Sequence, residues 1–128
     1  MKRKVEMAEK MIGIPASITR FISADQPGFV ECEFNDAHGR CWKFVEKSPV
    51  VSAEYLDAQS DYPRMGIIAC EITSRRQDAT GREIVTIDTN RPWGIESVDG
   101  GTQFEVSPSS LVEWEWGSDN QRAWDGRA

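Results

Sequence analysis

His38 is the only histidine in the chain, so any Ser/His/Asp or Cys/His arrangement for nucleophilic catalysis would have to be built on it. It falls in "DAHGR", between two runs of alternating apolar residues. That context predicts a hairpin tip, where no second layer of side chains orients an imidazole, and His38 reads as a polar turn residue. The three cysteines, Cys32, Cys41 and Cys70, lack CxxC spacing and, with a single histidine, do not form a recognisable zinc-ligand set. "DGGTQ" lacks the helix and lysine that complete a phosphate-binding loop. No catalytic residue, metal ligand or cofactor is assigned from these motifs.

Carboxylate pairs are the remaining chemistry: Glu31 with Glu33, Glu113 with Glu115, and Asp57 with Asp61. Such pairs can serve acid/base or glycosidic chemistry, but alternation on a half-buried sheet places the two glutamate pairs on its solvated face without any function. The aspartates lie in "SAEYLDAQSDYPRM", residues 52–65, a connection longer than a turn requires. There Tyr55 and Tyr62 sit among Glu54, Asp57 and Asp61, an aromatic and acidic set suited to binding a basic protein partner. The competing structural reading is a plug that closes one end of a barrel, with Tyr55 and Leu56 buried and the acids solvated.

The elements that must position these residues read as strands. "IPASITRFIS" alternates at Ala16 and Ile18, less regularly at Phe21, and stops at "DQPG". In "FVECEFNDAHGRCWKFVEK", a three-residue loop with Gly39 left-handed sets Phe34 against Trp42, Cys32 against Phe44 and Glu33 against Lys43. Ser52 is expected to cap a short helix over residues 52–58. "GIIACEITSRR" and "REIVTIDT" form a second hairpin. A four-residue loop from Gln77 to Thr80 would set Ile72 against Val85 and Cys70 against Ile87.

The same arithmetic applied to "TNRPWGIESVDGGTQFEV" pairs Trp93 with Val106 and Ile95 with Phe104, placing Trp93 in the core. "LVEWEW" supplies a closing strand with Val112, Trp114 and Trp116 on one face. The expected fold is therefore mainly β: a small antiparallel barrel or strongly curved sheet of about seven strands with one short helix. A helix after the third strand is compatible with an OB-like topology, an analogy of fold alone. Residues 1–10 read as a poorly ordered extension, 11–116 as a single β domain, and 117–128 as a flexible tail.

At 128 residues the chain is long enough for one domain with a real core. It carries a formal charge of -6, yet residues 11–128 hold eleven basic against nineteen acidic residues, a net -8. An acidic body repels phosphate backbones, and the tryptophans of the last strand alternate with glutamate rather than arginine, so nucleic acid is not the expected partner. No apolar run approaches a membrane span, no secretory leader follows "MKRKVEMAEK", and unpaired cysteines suit a reducing compartment, so the expected location is cytoplasmic.

"FVEKSPVVS" together with "RPWGIES" resembles stretches of small uncharacterised bacterial single-domain proteins, across roughly residues 12–112. That resemblance implies a bacterial cytosolic setting and brings no catalytic residue. By type, a small acidic domain without catalytic motifs is also similar to immunity proteins, which neutralise basic toxins. The leading expectation is a non-enzymatic protein-binding domain, most concretely an immunity-type inhibitor. The alternative is a small-ligand-binding or enzymatic barrel with an acidic pocket. A self-associating domain with an apolar patch on the last strand is a third reading.

Overall fold

The computed structural model describes residues 10–23 and 28–115, with backbone alone at Lys10, Trp114 and Glu115. Expectations for the first nine residues, for Asp25 to Pro27 of the "DQPG" turn and for residues 116–128 lie outside that range, as do the side chains of Trp114 and Trp116. Seven antiparallel strands form one strongly curled, half-barrel sheet. They are β1 (Lys10–Ser23), β2 (Phe29–Asn35), β3 (Cys41–Lys47), β4 (Arg64–Gln77), β5 (Glu83–Asp88), β6 (Gln103–Val106) and β7 (Val112–Glu115). A four-residue helix, α1 (Ser48–Val51), joins β3 to β4, and one turn of 3₁₀ helix (Pro108–Ser110) precedes β7.

The sheet order is β3-β2-β1-β4-β5-β6, with β7 pairing β1. The long β1 carries the assembly: Ile12 to Ile18 pair with β4, Ser17 to Ser23 with β2, and Lys10 to Gly13 with β7. Register shifts after Ile18 and after Phe21 explain why Phe21 falls out of the alternation that buries Ile14, Ala16 and Ile18. Edge elements approach one another across the open side. The Ala37 N–H donates to the Glu105 carbonyl at 2.8 Å, and the Val98 N–H to the Lys43 carbonyl at 2.9 Å.

The inner face is filled. Phe104 of β6 packs edge-on against Phe34, Trp42 and Phe44, at centroid distances of 5.5, 4.9 and 5.8 Å, and Phe34 stacks on Phe44 at 5.6 Å. These rings join the two ends of the sheet through side chains rather than through a continuous ladder. A smaller cluster on the opposite face of β1 and β4 buries Ile67 and Ala69 against Met11 and Val112.

The β2–β3 hairpin has the expected register, with Phe34 opposite Trp42, Cys32 opposite Phe44 and Glu33 opposite Lys43. Gly39 has φ +83°, the left-handed conformation that glycine adopts without steric cost. Three expectations are corrected. In the β4–β5 hairpin, Ile72 faces Ile87 and Arg75 faces Val85, with a register shift between Ile72 and Ser74. The cause is the loop, which runs from Asp78 to Arg82: the Asp78 N–H donates to the Arg82 carbonyl at 2.9 Å, and Gln77 already pairs with Glu83.

The helix occupies Ser48–Val51, not residues 52–58. Pro49 fits a first helical turn, while Ser52 ends the helix in extended conformation and accepts the Glu54 N–H on its hydroxyl at 3.0 Å.

Trp93, expected in the core opposite Val106, is 38% exposed and lies outside any strand. Val106 pairs with Val85 and Phe104 with Ile87 instead. Residues 90–94 close on themselves, the Gly94 N–H donating to the Asn90 carbonyl at 2.8 Å with Gly94 at φ +69°. A strand cannot run through that turn. Ile95 is the buried apolar residue of this segment, tied back by its N–H to the Thr89 carbonyl (3.0 Å) and by the Thr89 hydroxyl to the Ile95 carbonyl (2.6 Å).

Candidate functional site

The connection between α1 and β4 divides its residues between anchoring and display. Leu56 is 2% exposed and belongs to the core, and Tyr62 packs against the same cluster while its hydroxyl donates to the Asp57 carbonyl at 2.7 Å. Asp57 builds the turn between them: its carboxylate accepts the Gln59 N–H at 2.9 Å and the Ser60 hydroxyl at 3.4 Å, and its own N–H donates to that hydroxyl at 3.0 Å. Glu54 is ion-paired with Arg64, the first residue of β4. Asp61 is exposed, with its carbonyl accepting from Arg64 at 3.4 Å.

Tyr55 is 83% exposed, the highest value among the exposed large hydrophobic residues. The plug expectation therefore holds for Leu56 and is corrected for Tyr55. Leu56 and Tyr62 serve as the plug, whereas Tyr55, expected inside under the plug reading, projects outward beside Glu54. The Asp57 carboxylate is spent on its own turn rather than paired with Asp61. Residues 48–63 contain three acids and no lysine or arginine; with the flanking Lys47 and Arg64, the latter paired with Glu54, the segment 47–64 carries a net -1.

A second polar centre lies at the other pole and was not anticipated. The pentapeptides "DAHGR" (36–40) and "DATGR" (78–82) form matching loops. Asp36 accepts the N–H of His38 at 2.8 Å and of Arg40 at 3.0 Å; Asp78 accepts those of Thr80 at 2.9 Å and Arg82 at 3.0 Å. Gly39 and Gly81 are both left-handed, at φ +83° and +88°. Arg82 reaches from the second loop to the Ala37 carbonyl of the first at 3.2 Å.

Glu105 ties the first loop to β4, receiving Arg76 at 2.9 and 2.8 Å and His38 at 2.9 Å. Hydrogen bonds from Arg76 and then His38 hold the Glu105 carboxyl down to about 2. The Thr80 hydroxyl, followed by the Arg82 amide, holds Asp78 well below the carboxylate range. The signal that could have revealed this centre is the repeated DAxGR itself.

One carboxylate faces inward. Glu46 follows Trp42 and Phe44 on the inner face of β3, and burial, then the Glu96 charge, pushes its carboxyl up. A raised carboxyl is more stable protonated in the folded chain than in the unfolded one, so the penalty for its charge is absent at low pH and develops as pH rises through the shifted value. Glu46→Gln is accordingly expected to raise the melting temperature at pH 7 and to have little effect near pH 4. A calorimetric pH series checks this; equal effects at both pH values would contradict it.

Burial pushes the Cys32 and Cys70 thiols up to about 12, leaving them neutral core residues. Among the described residues no group of three or more His, Cys, Asp or Glu side chains is placed to hold a metal ion, and no helix is long and apolar enough to cross a membrane. A shallow depression of about 310 Å³ is lined by Arg75, Arg76, Gln77 and Glu83, at the pole opposite the tyrosines. No protein-family model, curated protein or solved structure matches the chain.

Proposed function

We propose that this is a non-enzymatic protein-binding domain, most concretely an immunity-type inhibitor that masks a basic partner with the negative pole around Tyr55. The observation that carries the reading is the mounting of that tyrosine. It is 83% exposed, yet its neighbour Leu56 is buried and the turn that follows is tied by Asp57, Ser60 and Tyr62. A rigid aromatic side chain supplies contact area at low ordering cost, and the exposed Asp61 adds steering for a cation-rich surface.

Two further features support the setting. All three cysteines are unpaired and two are buried, which suits a reducing cytoplasm. The β3-β2-β1-β4-β5 order with α1 between β3 and β4 supports an OB-like description of the barrel. The alternative, a small-ligand or enzymatic barrel with an acidic pocket, is favoured by the inward Glu46 beside Glu96, and disfavoured by the aromatic rings that fill the interior.

The test is capture from a cell lysate on immobilised wild-type chain, eluted with a salt gradient, in parallel with Tyr55→Ala and Asp61→Asn. A basic protein retained by wild type, released by moderate salt and bound about tenfold more weakly by Tyr55→Ala is the expected result. Asp57 is left intact because its loss would unmake the turn. Retention that both variants leave unchanged would overturn the reading.

A further inference from the structure

The DAxGR pole differs in charge and in preparation from the Tyr55 pole. Its loops precede β3 and follow β4, whereas the tyrosine connection follows β3 and precedes β4, so the two surfaces lie at opposite ends of those strands. Arg40, Arg75, Arg76 and Arg82 gather here with His38, against Asp36, Asp78, Glu83 and Glu105. The acids are engaged: Asp36 and Asp78 close their own loops, Glu105 is shared by Arg76 and His38, and Glu83 meets Arg75 at 3.1 Å. A neutral, arginine-bearing end thus caps an otherwise acidic body.

Arg40 stands apart from its neighbours. Its guanidinium carbon lies 3.9 Å from the centre of the Trp42 ring, and although its backbone is bonded to Asp36, the guanidinium makes no hydrogen bond or ion pair with the described residues. The ring beneath it is fixed, because the Trp42 indole N–H donates to Asp36 at 2.8 Å and its edge packs on Phe104. A guanidinium carries five donors in a planar fork that matches a carboxylate. Here the fork is held on an aromatic platform with those donors uncommitted, so much of the ordering cost of binding is met before any ligand arrives. Arg82 comes to the same loop through its bond to Ala37, and Arg75 and Arg76 line the adjoining depression.

We infer that this pole is a second docking surface, for a short acidic segment of a protein, with Arg40 as the carboxylate anchor and Arg75, Arg76 and Arg82 beside it. The uncommitted guanidinium of Arg40 selects the occupant, because its planar donors match a carboxylate. A long polyanion such as nucleic acid would have to continue over a body carrying net -8 across residues 11–128, and the Trp42 face at this pole is covered by Arg40. A short acidic peptide can end within the neutral island. With a basic partner at the Tyr55 pole, the domain would hold two proteins of opposite charge at its two ends.

The test is fluorescence anisotropy with the full chain at low salt, using a labelled oligoglutamate peptide and an oligothymidylate of equal charge. The peptide is expected to bind, to weaken as salt rises, and to lose about tenfold in affinity on Arg40→Gln. Arg40→Lys, which keeps the charge without the planar fork, is expected to lose affinity as well, while Tyr55→Ala leaves binding unchanged. Arg40 is exposed, and a thermal melt of each variant confirms that the fold is retained. Absence of peptide binding, binding that Arg40→Gln does not alter, or tighter binding of the oligothymidylate would each overturn the inference.

Discussion

Phe104→Ala lowers the free energy of unfolding by about 3–5 kcal/mol, the range for deleting a buried aromatic side chain whose surroundings relax only in part. Phe104 is 3% exposed and touches Phe34, Trp42 and Phe44, which come from β2 and β3 at the far end of the sheet order. No ladder joins those strands to β6; backbone contact is made through Ala37 to Glu105 and Val98 to Lys43. The ring therefore holds the curl shut as well as filling the core. Urea denaturation should show the loss, and the amides of Ala37 and Val98 should lose hydrogen-exchange protection more than those of β1. A destabilisation below about 1 kcal/mol, within the range of ordinary substitutions, would show that the curl does not depend on this cluster.

Gly66→Ala is expected to cost about 3 kcal/mol, at the upper end of the range for overpacking a filled core. A Cβ at this position would lie 2.7 Å from the Val51 carbonyl oxygen and 2.7 Å from Cδ1 of Ile18, both closer than van der Waals contact permits. Ile18 is fully buried and Val51 is the last residue of α1, so relief requires either a repacked β1 or a displaced helix. Displacement would carry the connection with it. The variant should therefore lose stability in urea and also disturb the environment of Tyr62, visible in its ring resonances. Wild-type stability in Gly66→Ala would mean that α1 is not seated against β4 as described.

Alternation and one glycine made the β2–β3 hairpin legible, because Phe34, Cys32, Trp42 and Phe44 share a face and Gly39 takes the left-handed position. The second hairpin was not legible from alternation, since β4 is buried on both faces from Gly66 to Cys70 and the register shift between Ile72 and Ser74 breaks the period. The loop held the missing information. Asn35 faces Cys41 around "DAHGR", and applying the same closure to "DATGR" puts Gln77 opposite Glu83, as observed.

Trp93 was misplaced for a different reason. Its apolar neighbours fit a strand pattern, but Gly94 lets the chain close into a turn, and β5 takes β6 as its partner. In the candidate site, the residues of 52–62 were legible as a group, though not which of them would be spent on structure. Asp57 and Tyr62 are committed by bonds to turn backbone and a turn hydroxyl that no spacing rule reveals. The arginine pole stayed hidden because its members come from three separate segments and meet only when the sheet curls.

The proposed recognition surface at Tyr55 is tested most directly by titrating a basic protein captured on the wild-type chain against wild type and Tyr55→Ala at low and moderate salt. A dissociation constant about tenfold higher for the variant, with association slowing as salt rises, is the predicted outcome. Equal affinity of the two chains, or an affinity that salt does not touch, would contradict the assignment of this pole as the protein-binding site.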